Sequence, residues 1–453
     1  MPDNLPDSVK NYISQKTFPN RFLEWNEVNG IENVVVVPAI CEFDNIKKLL
    51  TSLIGNSKDS FNKSLILFVI NNSKSADPEV KKDNEYSISF LRPIITDKRI
   101  EMDSKYIIES GIQIGLIDAS SEGFELDTKS AGVGLARKIG MDMALKIFDY
   151  SSERKKIIAC LDADCVVEEN YLSDIRKEFN QNNLTVALVD FEHQGSNDNK
   201  IRSGILSYEI FLRHYVCGLL FANSPFAFHT IGSTIVCDHE SYIKVGGMNT
   251  RKAAEDFYFL QKLAKSFTVE RITSTRVYPS ARESWRVPFG TGRSMTEFLS
   301  GKKTINVFDA EIYAILRQWN EIYYSDLIEN PEQVLNQAKI IHPELYNFLI
   351  HKNFKEEWSK ILDNTNSIKQ LDYQRKNWFD AFKTLKLVHQ LRDAYFPMID
   401  ILAGAQKLFK VIGHSVNFDL SDQANNRAIV LEHISAELKN LENDFLKENR
   451  NDH

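Results

Sequence analysis

A chain of 453 residues, 43% of them hydrophobic, is long enough to bury two cores, so two domains are expected. Its formal net charge of −7 offers no basic face that would neutralise a run of phosphates, so no nucleic acid partner is expected. The five cysteines, Cys41, Cys160, Cys165, Cys217 and Cys237, are odd in number, lack C-x-x-C spacing and sit mostly in apolar runs. They read as small core residues in a reduced, cytoplasmic setting. MPDNLPDSVKNYISQK at the start has no apolar h-region, and no stretch approaches the roughly 18 uninterrupted apolar residues of a bilayer span. No transmembrane segment is expected, and any membrane contact would be peripheral, at the inner face.

Residues 1–30 are polar with scattered aromatics and read as a lead-in. NVVVVPA, 33–39, is too short for a helix and rich in β-branched residues, which predicts a strand buried on both faces. Ile46, Leu49, Leu50 and Leu53 then recur at helical spacing, with Asp44 near the start and Gly55 near the end. SLILFVINNS, 64–73, and IQIGLIDAS, 112–120, are the second and third strands. The long interval 74–111 predicts a helix and loop over one rim of the site. A glycine-rich turn and helix follow in AGVGLARKIGMDMALKIF, and KKIIACLDADC, 155–165, is a fourth strand ending in acids. Strands alternating with helices imply a parallel sheet, whose ligands collect at the strands' carboxyl ends. From about Phe308 the chain turns to helical periods with few glycines, and Trp378, Phe382, Leu385 and Val388 form an apolar stripe that needs burial. The stripe is expected against the first domain, in a homodimer contact or on a membrane surface.

Asp162 and Asp164 stand two apart, so in an extended backbone both project to one side. Two carboxylates there suit Mn²⁺ or Mg²⁺ bridging a diphosphate, because these cations favour oxygen ligands and keep positions open for phosphates. A polar strand-to-loop cap is the competing reading. The buried IIACL immediately before the acids favours a place at the sheet's carboxyl edge.

VVVVPAICE, 34–42, resembles the first-strand motif of family 2 glycosyltransferases: valines, Pro-Ala, two variable residues and Glu. By that resemblance Pro38, Ala39 and Glu42 line the pocket for a nucleotide-sugar donor, with Ile40 and Cys41 in place of the common tyrosine and asparagine. Where the family ends its second strand on a base-binding aspartate, this chain has Asn71 and Asn72. An asparagine there can bond a uracil or guanine edge as donor and acceptor, or simply make a turn. KSAGVGLARKIG resembles the family's glycine-rich segment: Gly132 and Gly134 allow close backbone approach, and Lys129 or Arg137 can offset diphosphate charge. GSTIVCDHESYIKVGGMNTRKAAEDFYFLQKLAK, 232–265, is similar to the acceptor half, with Gly246-Gly247 and then Glu255-Asp256 opening a helix. In the family the aspartate of this pair is the catalytic base; carboxylates at a helix start also stabilise its dipole. Further on, Arg282 or Arg286, beside Arg276 and Arg293, can grip the leaving nucleoside diphosphate, and Trp285 can stack on a sugar; salt bridges and core are equal readings. His214, His229 and His239 read as structural.

The resemblance covers about residues 31–300. It implies a GT-A fold, α/β with a mainly parallel doubly wound sheet, over 31–300; outside it, the helical periods predict an α-helical region over 301–453. It implies an inverting, metal-dependent transfer to a glycan, lipid-linked or small-molecule acceptor. A sugar nucleotidyltransferase would need a basic glycine-rich loop after the first strand, where PAICEFDN is acidic. A GT-A module without turnover would suit Asn71 and Asn72, but not the intact Asp162, Asp164, Glu255 and Asp256.

Overall fold

The computed structural model describes residues 5–16, 21–96, 105–284, 290–325, 330–416 and 427–451. They divide into two compact units, Met1–Gln194 with Thr230–Ser280, and Gly195–His229 with Ala281–His453.

The first unit is built on one eight-stranded sheet. In chain order its strands are β1 (Asn33–Ala39), β2 (Ser64–Asn71), β3 (Gln113–Ala119), β4 (Ile157–Cys160), β5 (Val166–Val167), β6 (Val186–Phe191), β7 (Ile235–Asp238) and β8 (Glu270–Tyr278). They lie side by side as β3-β2-β1-β4-β7-β6-β8-β5. The first four run parallel, while β7 opposes both of its neighbours. Every residue of β1 and β2 is buried, as their continuous apolar runs require of strands covered on both faces. The helix Phe43–Leu53 lays Ile46, Leu49, Leu50 and Leu53 on one side of the core, each fully buried. On the helix Val133–Ile147, a Cβ at Gly140 would fall 2.4 Å from Cγ1 of Val36. Glycine thus sets how closely this helix lies on β1. Because chain order reverses at β1, between β2 and β4, the carboxyl ends of β1 and β4 form the switch point at which open α/β sheets bind ligands.

The lead-in is more structured than its composition suggested. Asp7–Lys16 is a helix that buries Val9, Tyr12 and Ile13, and Tyr12 donates its hydroxyl to Asp142 at 2.9 Å. Three spaced residues, rather than a dense stripe, suffice because a specific polar contact adds to them.

Among its described residues the second unit is helical apart from a two-residue strand pair, β9 (Asn306–Val307) with β10 (Ile399–Asp400). Its core gathers around the fully buried Trp319, which stacks on Tyr323 and meets Phe354 and Phe379 edge-on. The stripe expected at Trp378, Phe382, Leu385 and Val388 is rotated. Within the helix Ala381–Ala394 the buried positions are Ala381, Thr384, Leu387, Val388 and Leu391, whereas Phe382 is 36% exposed. Trp378 closes the preceding helix Ile368–Trp378, so the apolar period does not run through the break between them. Among the described residues no helix is long and apolar enough to cross a membrane.

Candidate active site

Arg137 is the centre of the arrangement at the sheet's carboxyl edge. It sits in the second turn of the helix Val133–Ile147 and is 3% exposed. One guanidinium nitrogen donates to Oε1 of Glu255 and the other to Oδ1 of Asp162, so acids 93 positions apart in sequence meet on one side chain. Burial by itself would lower this guanidinium's pKa; Asp162 and Glu255 outweigh it and hold the group protonated. Its charge is therefore already committed to carboxylates. Arg137, expected with Lys129 as a group that can offset diphosphate charge, is engaged by Glu255 and Asp162 within the fold, because a fully buried cation requires partners of its own.

Glu255 and Asp256 open the helix Glu255–Ser266 directly after Ala254, which has a left-handed φ of 57°. Glu255 is 4% exposed and points to Arg137; Asp256 is half-buried and accepts its neighbour Phe257's amide at 2.7 Å. Burial pushes the Glu255 carboxyl up to about 7, with Arg137 opposing and Asp256 adding to the rise. Asp256 is raised as well, again by burial first. Asp162, Glu255 and Asp256 all act on the one guanidinium of Arg137 and hold it protonated.

The strand carrying Asp162 ends earlier than expected, at Cys160 rather than Cys165. The amide of Cys165 donates to the carbonyl of Asp162 at 3.1 Å, so 162–165 is a turn and the two aspartates are not set by extended geometry. Both are half-exposed, and Gln194 ties the turn down by donating to the carbonyls of Asp164 at 2.9 Å and Tyr278 at 2.8 Å. Among the described residues no group of three or more His, Cys, Asp or Glu side chains is gathered to hold a metal ion. Two accessible carboxylates on one turn still fit a hard cation whose other ligands come from substrate and water.

The glycines act on protein contacts. A Cβ at Gly134 would fall 2.3 Å from the carbonyl oxygen of Arg251, and one at Gly132 would fall 2.9 Å from Cα of Lys252. They let the helix start lie against the loop that leads into Glu255. Gly232, at the head of the segment before β7, is as tight: its Cβ would fall 2.4 Å from both terminal nitrogens of Arg137. Sequence reading passed over Gly232; a glycine opening a buried turn was the only signal.

Pro38 and Ala39 end β1, and Glu42, 4% exposed, accepts from Asn45 at 2.5 Å. Asn71 gives its amide hydrogens to the carbonyls of Ala39 at 3.0 Å and Val69 at 3.3 Å, and Asn72 gives its own to Ser73 and Ser120. The amide hydrogens of Asn71 expected to be available for a base are thus engaged within the fold. Lys129 is exposed. Arg276 lies 3.4 Å from Asp190 and 3.4 Å from Glu192. Arg282 is half-buried and Arg293, beside Glu297, is exposed, both in the second unit, whereas Arg286 and Trp285 lie outside the described residues. His214 donates its Nε2–H to the carbonyl of Gly404 at 3.3 Å, and burial pushes its pKa down to about 4; His229 pairs with the buried Glu442 at 3.0 Å.

Residues 157–409, more than half of the chain, match the sequence model of glycosyl transferase family group 2. The chain belongs to this family. As a family 2 glycosyltransferase it combines a GT-A type α/β sheet with helices that continue to the C-terminal part of the sequence. The match starts at β4, so β1 to β3 and the loops between them, which include the departures at Ile40, Cys41, Asn71 and Asn72, lie outside it. Among solved structures the chain is similar to S. aureus TarS 1–349 in complex with UDP-GlcNAc, at 13% identity and a TM-score of 0.36, over 76% of this chain and 90% of that one. It is also similar to the mannosyltransferase PcManGT from Pyrobaculum calidifontis in complex with GDP-Man and Mn²⁺, at 10% identity and a TM-score of 0.35, over 97% and 92%. At these values neither assigns a residue or a substrate to this glycosyltransferase. No curated protein matches the chain.

Proposed function

We propose that this glycosyltransferase transfers a sugar, with inversion, from a nucleoside diphosphate to an acceptor hydroxyl at the edge formed by Asp162, Arg137, Glu255 and Asp256. The observation that supports it is the shared guanidinium: Arg137 joins the acid after β4 to the acid pair at the helix start. A single displacement needs a leaving-group side and a proton-accepting side facing one sugar, and this is a fixed link between two such sides.

In the proposed reaction Asp256 accepts the acceptor's hydroxyl proton as that oxygen bonds to the anomeric carbon. The bond from that carbon to the diphosphate oxygen breaks, and the nucleoside diphosphate leaves with the electron pair. Glu255, held by Arg137, positions groups beside the base. Asp162 and Asp164 would hold Mn²⁺ or Mg²⁺, whose charge would offset that of the diphosphate. Arg137 keeps Asp162 and Glu255 fixed, so that little reorganisation falls within the reaction step. Pro38, Ala39 and Glu42 border the nucleotide end, with Lys129 on the exposed approach.

The acceptor is a glycan, a lipid-linked sugar or a small molecule, and the setting is cytoplasmic, either free or peripheral at the inner face of the membrane. Turnover of a panel of UDP- and GDP-sugars with Mn²⁺, with the product anomer read by NMR, tests the proposal. An inverted anomer supports it; retention, or no hydrolysis or transfer of any donor, contradicts it.

A further inference from the structure

The helix Pro78–Thr96 lies in the interval for which the sequence offered no chemistry, and it grips the loop after β1. Asn84 on this helix is 1% exposed and fully used. Its Oδ1 accepts the amide of Cys41 at 2.9 Å, and its Nδ2 donates to the carbonyl of Asn71 at 3.1 Å and to Oδ1 of Asn72 at 2.8 Å. The preceding residue, Asp83, accepts the amide of Phe43 at 3.1 Å. Consecutive side chains thus clamp the backbone on both sides of Glu42. Between the clamps Cys41 holds a φ of 57°, a left-handed conformation disfavoured for a residue with a Cβ.

Such a conformation persists only where the surroundings over-determine it. The loop it shapes follows β1 at the switch point, and the strand end to which Asn84 ties it is the neighbouring β2. We infer that Asn84 is a positioning residue for the nucleotide end of the donor site, holding the β1 loop in its left-handed turn against the end of β2. The inference rests on the proposed reading of this edge as the site of a nucleoside diphosphate. Asn84 touches no substrate in this account; it acts through Cys41, Asn71 and Asn72.

The test measures binding of UDP and of GDP, each with Mn²⁺, by calorimetry on the full chain. For whichever nucleotide the wild type binds, Asn84→Ala should weaken binding at least about tenfold, the order expected for releasing one strained residue. Adding Cys41→Gly to Asn84→Ala should recover at least about threefold, because glycine adopts the left-handed turn without the penalty that Asn84 otherwise offsets. Loss of general packing would not be repaired by a change at the half-exposed Cys41. Cys41→Val attacks the same turn from the other end, leaves the helix intact, and should reproduce the loss even if Asn84→Ala fails to fold. Wild-type affinity in Asn84→Ala or in Cys41→Val, or no recovery in the double variant, overturns the inference and leaves the donor-site reading standing. A wild type that binds neither nucleotide overturns both.

Discussion

Arg137 and Glu255, 118 residues apart, form an ion pair in which both side chains are almost wholly buried, at 3% and 5% exposure. Removing one partner of such a pair leaves the other charge buried and uncompensated, at a cost of about 3–5 kcal/mol. Arg137→Ala should therefore destabilise the fold by that order, as thermal unfolding would read. Arg137→Lys keeps the charge, but a single ammonium lacks the two-pronged geometry that serves Asp162 and Glu255 together. Its turnover should fall by at least about 10² with a smaller loss of stability than in Arg137→Ala.

The raised Glu255 carboxyl has a signed consequence for stability. Folded, it binds its proton more tightly than the unfolded chain does, so ionising it costs the fold. Stability from this group is fully present below about 4.5 and is lost as pH rises towards about 7, at up to about 1.4 kcal/mol per pH unit. Unfolding followed across that window should show Glu255→Gln with a shallower decline than the wild type. An equal decline in both would assign the proton elsewhere.

Gly134 tests the contact between the helix start and the acidic loop. The Cβ of Gly134→Ala would meet the carbonyl oxygen of Arg251 at 2.3 Å and Cβ of Glu255 at 2.9 Å. Since backbone cannot swing aside as a side-chain tip can, the loop must shift. Turnover should drop by about 10² from a displacement of this size, with a stability loss of about 1–3 kcal/mol. Gly123→Ala provides the contrast: its Cβ meets nothing within 4 Å, so beyond the cost of its own φ of 84° it should leave turnover unchanged.

Metal dependence is checked by EDTA. Turnover should vanish and return with Mn²⁺ or Mg²⁺, and Asp164→Ala should be poorly restored. Full activity in EDTA together with an active Asp164→Ala would remove the cation from the account.

Strand content was legible where residue chemistry leaves little choice: the valine run of β1 and the apolar run of β2 admit only doubly covered strands. Glu255 and Asp256 were legible as acids opening a helix, because a carboxylate pair after paired glycines is a local pattern. What the sequence did not disclose depends on contacts distant in the chain. Arg137 was read against a substrate, yet its partners lie 25 and 118 positions away. Asn84 had no local signal, since its work is done on Cys41, 43 positions earlier. The turn at 162–165 replaced an extended strand end because a hydrogen bond from Cys165 to Asp162 closes it. Alternation of residue types carries no record of such a bond.

The central claim is that Asp256 accepts the proton, and Asp256→Asn measures it most directly. Asparagine keeps the shape and removes the basic oxygen, so turnover at saturating donor should fall by at least about 10² while nucleotide affinity stays close to wild type. Near wild-type turnover in Asp256→Asn with loss in Glu255→Gln would exchange the two roles, and near wild-type turnover in both would contradict the in-line mechanism itself.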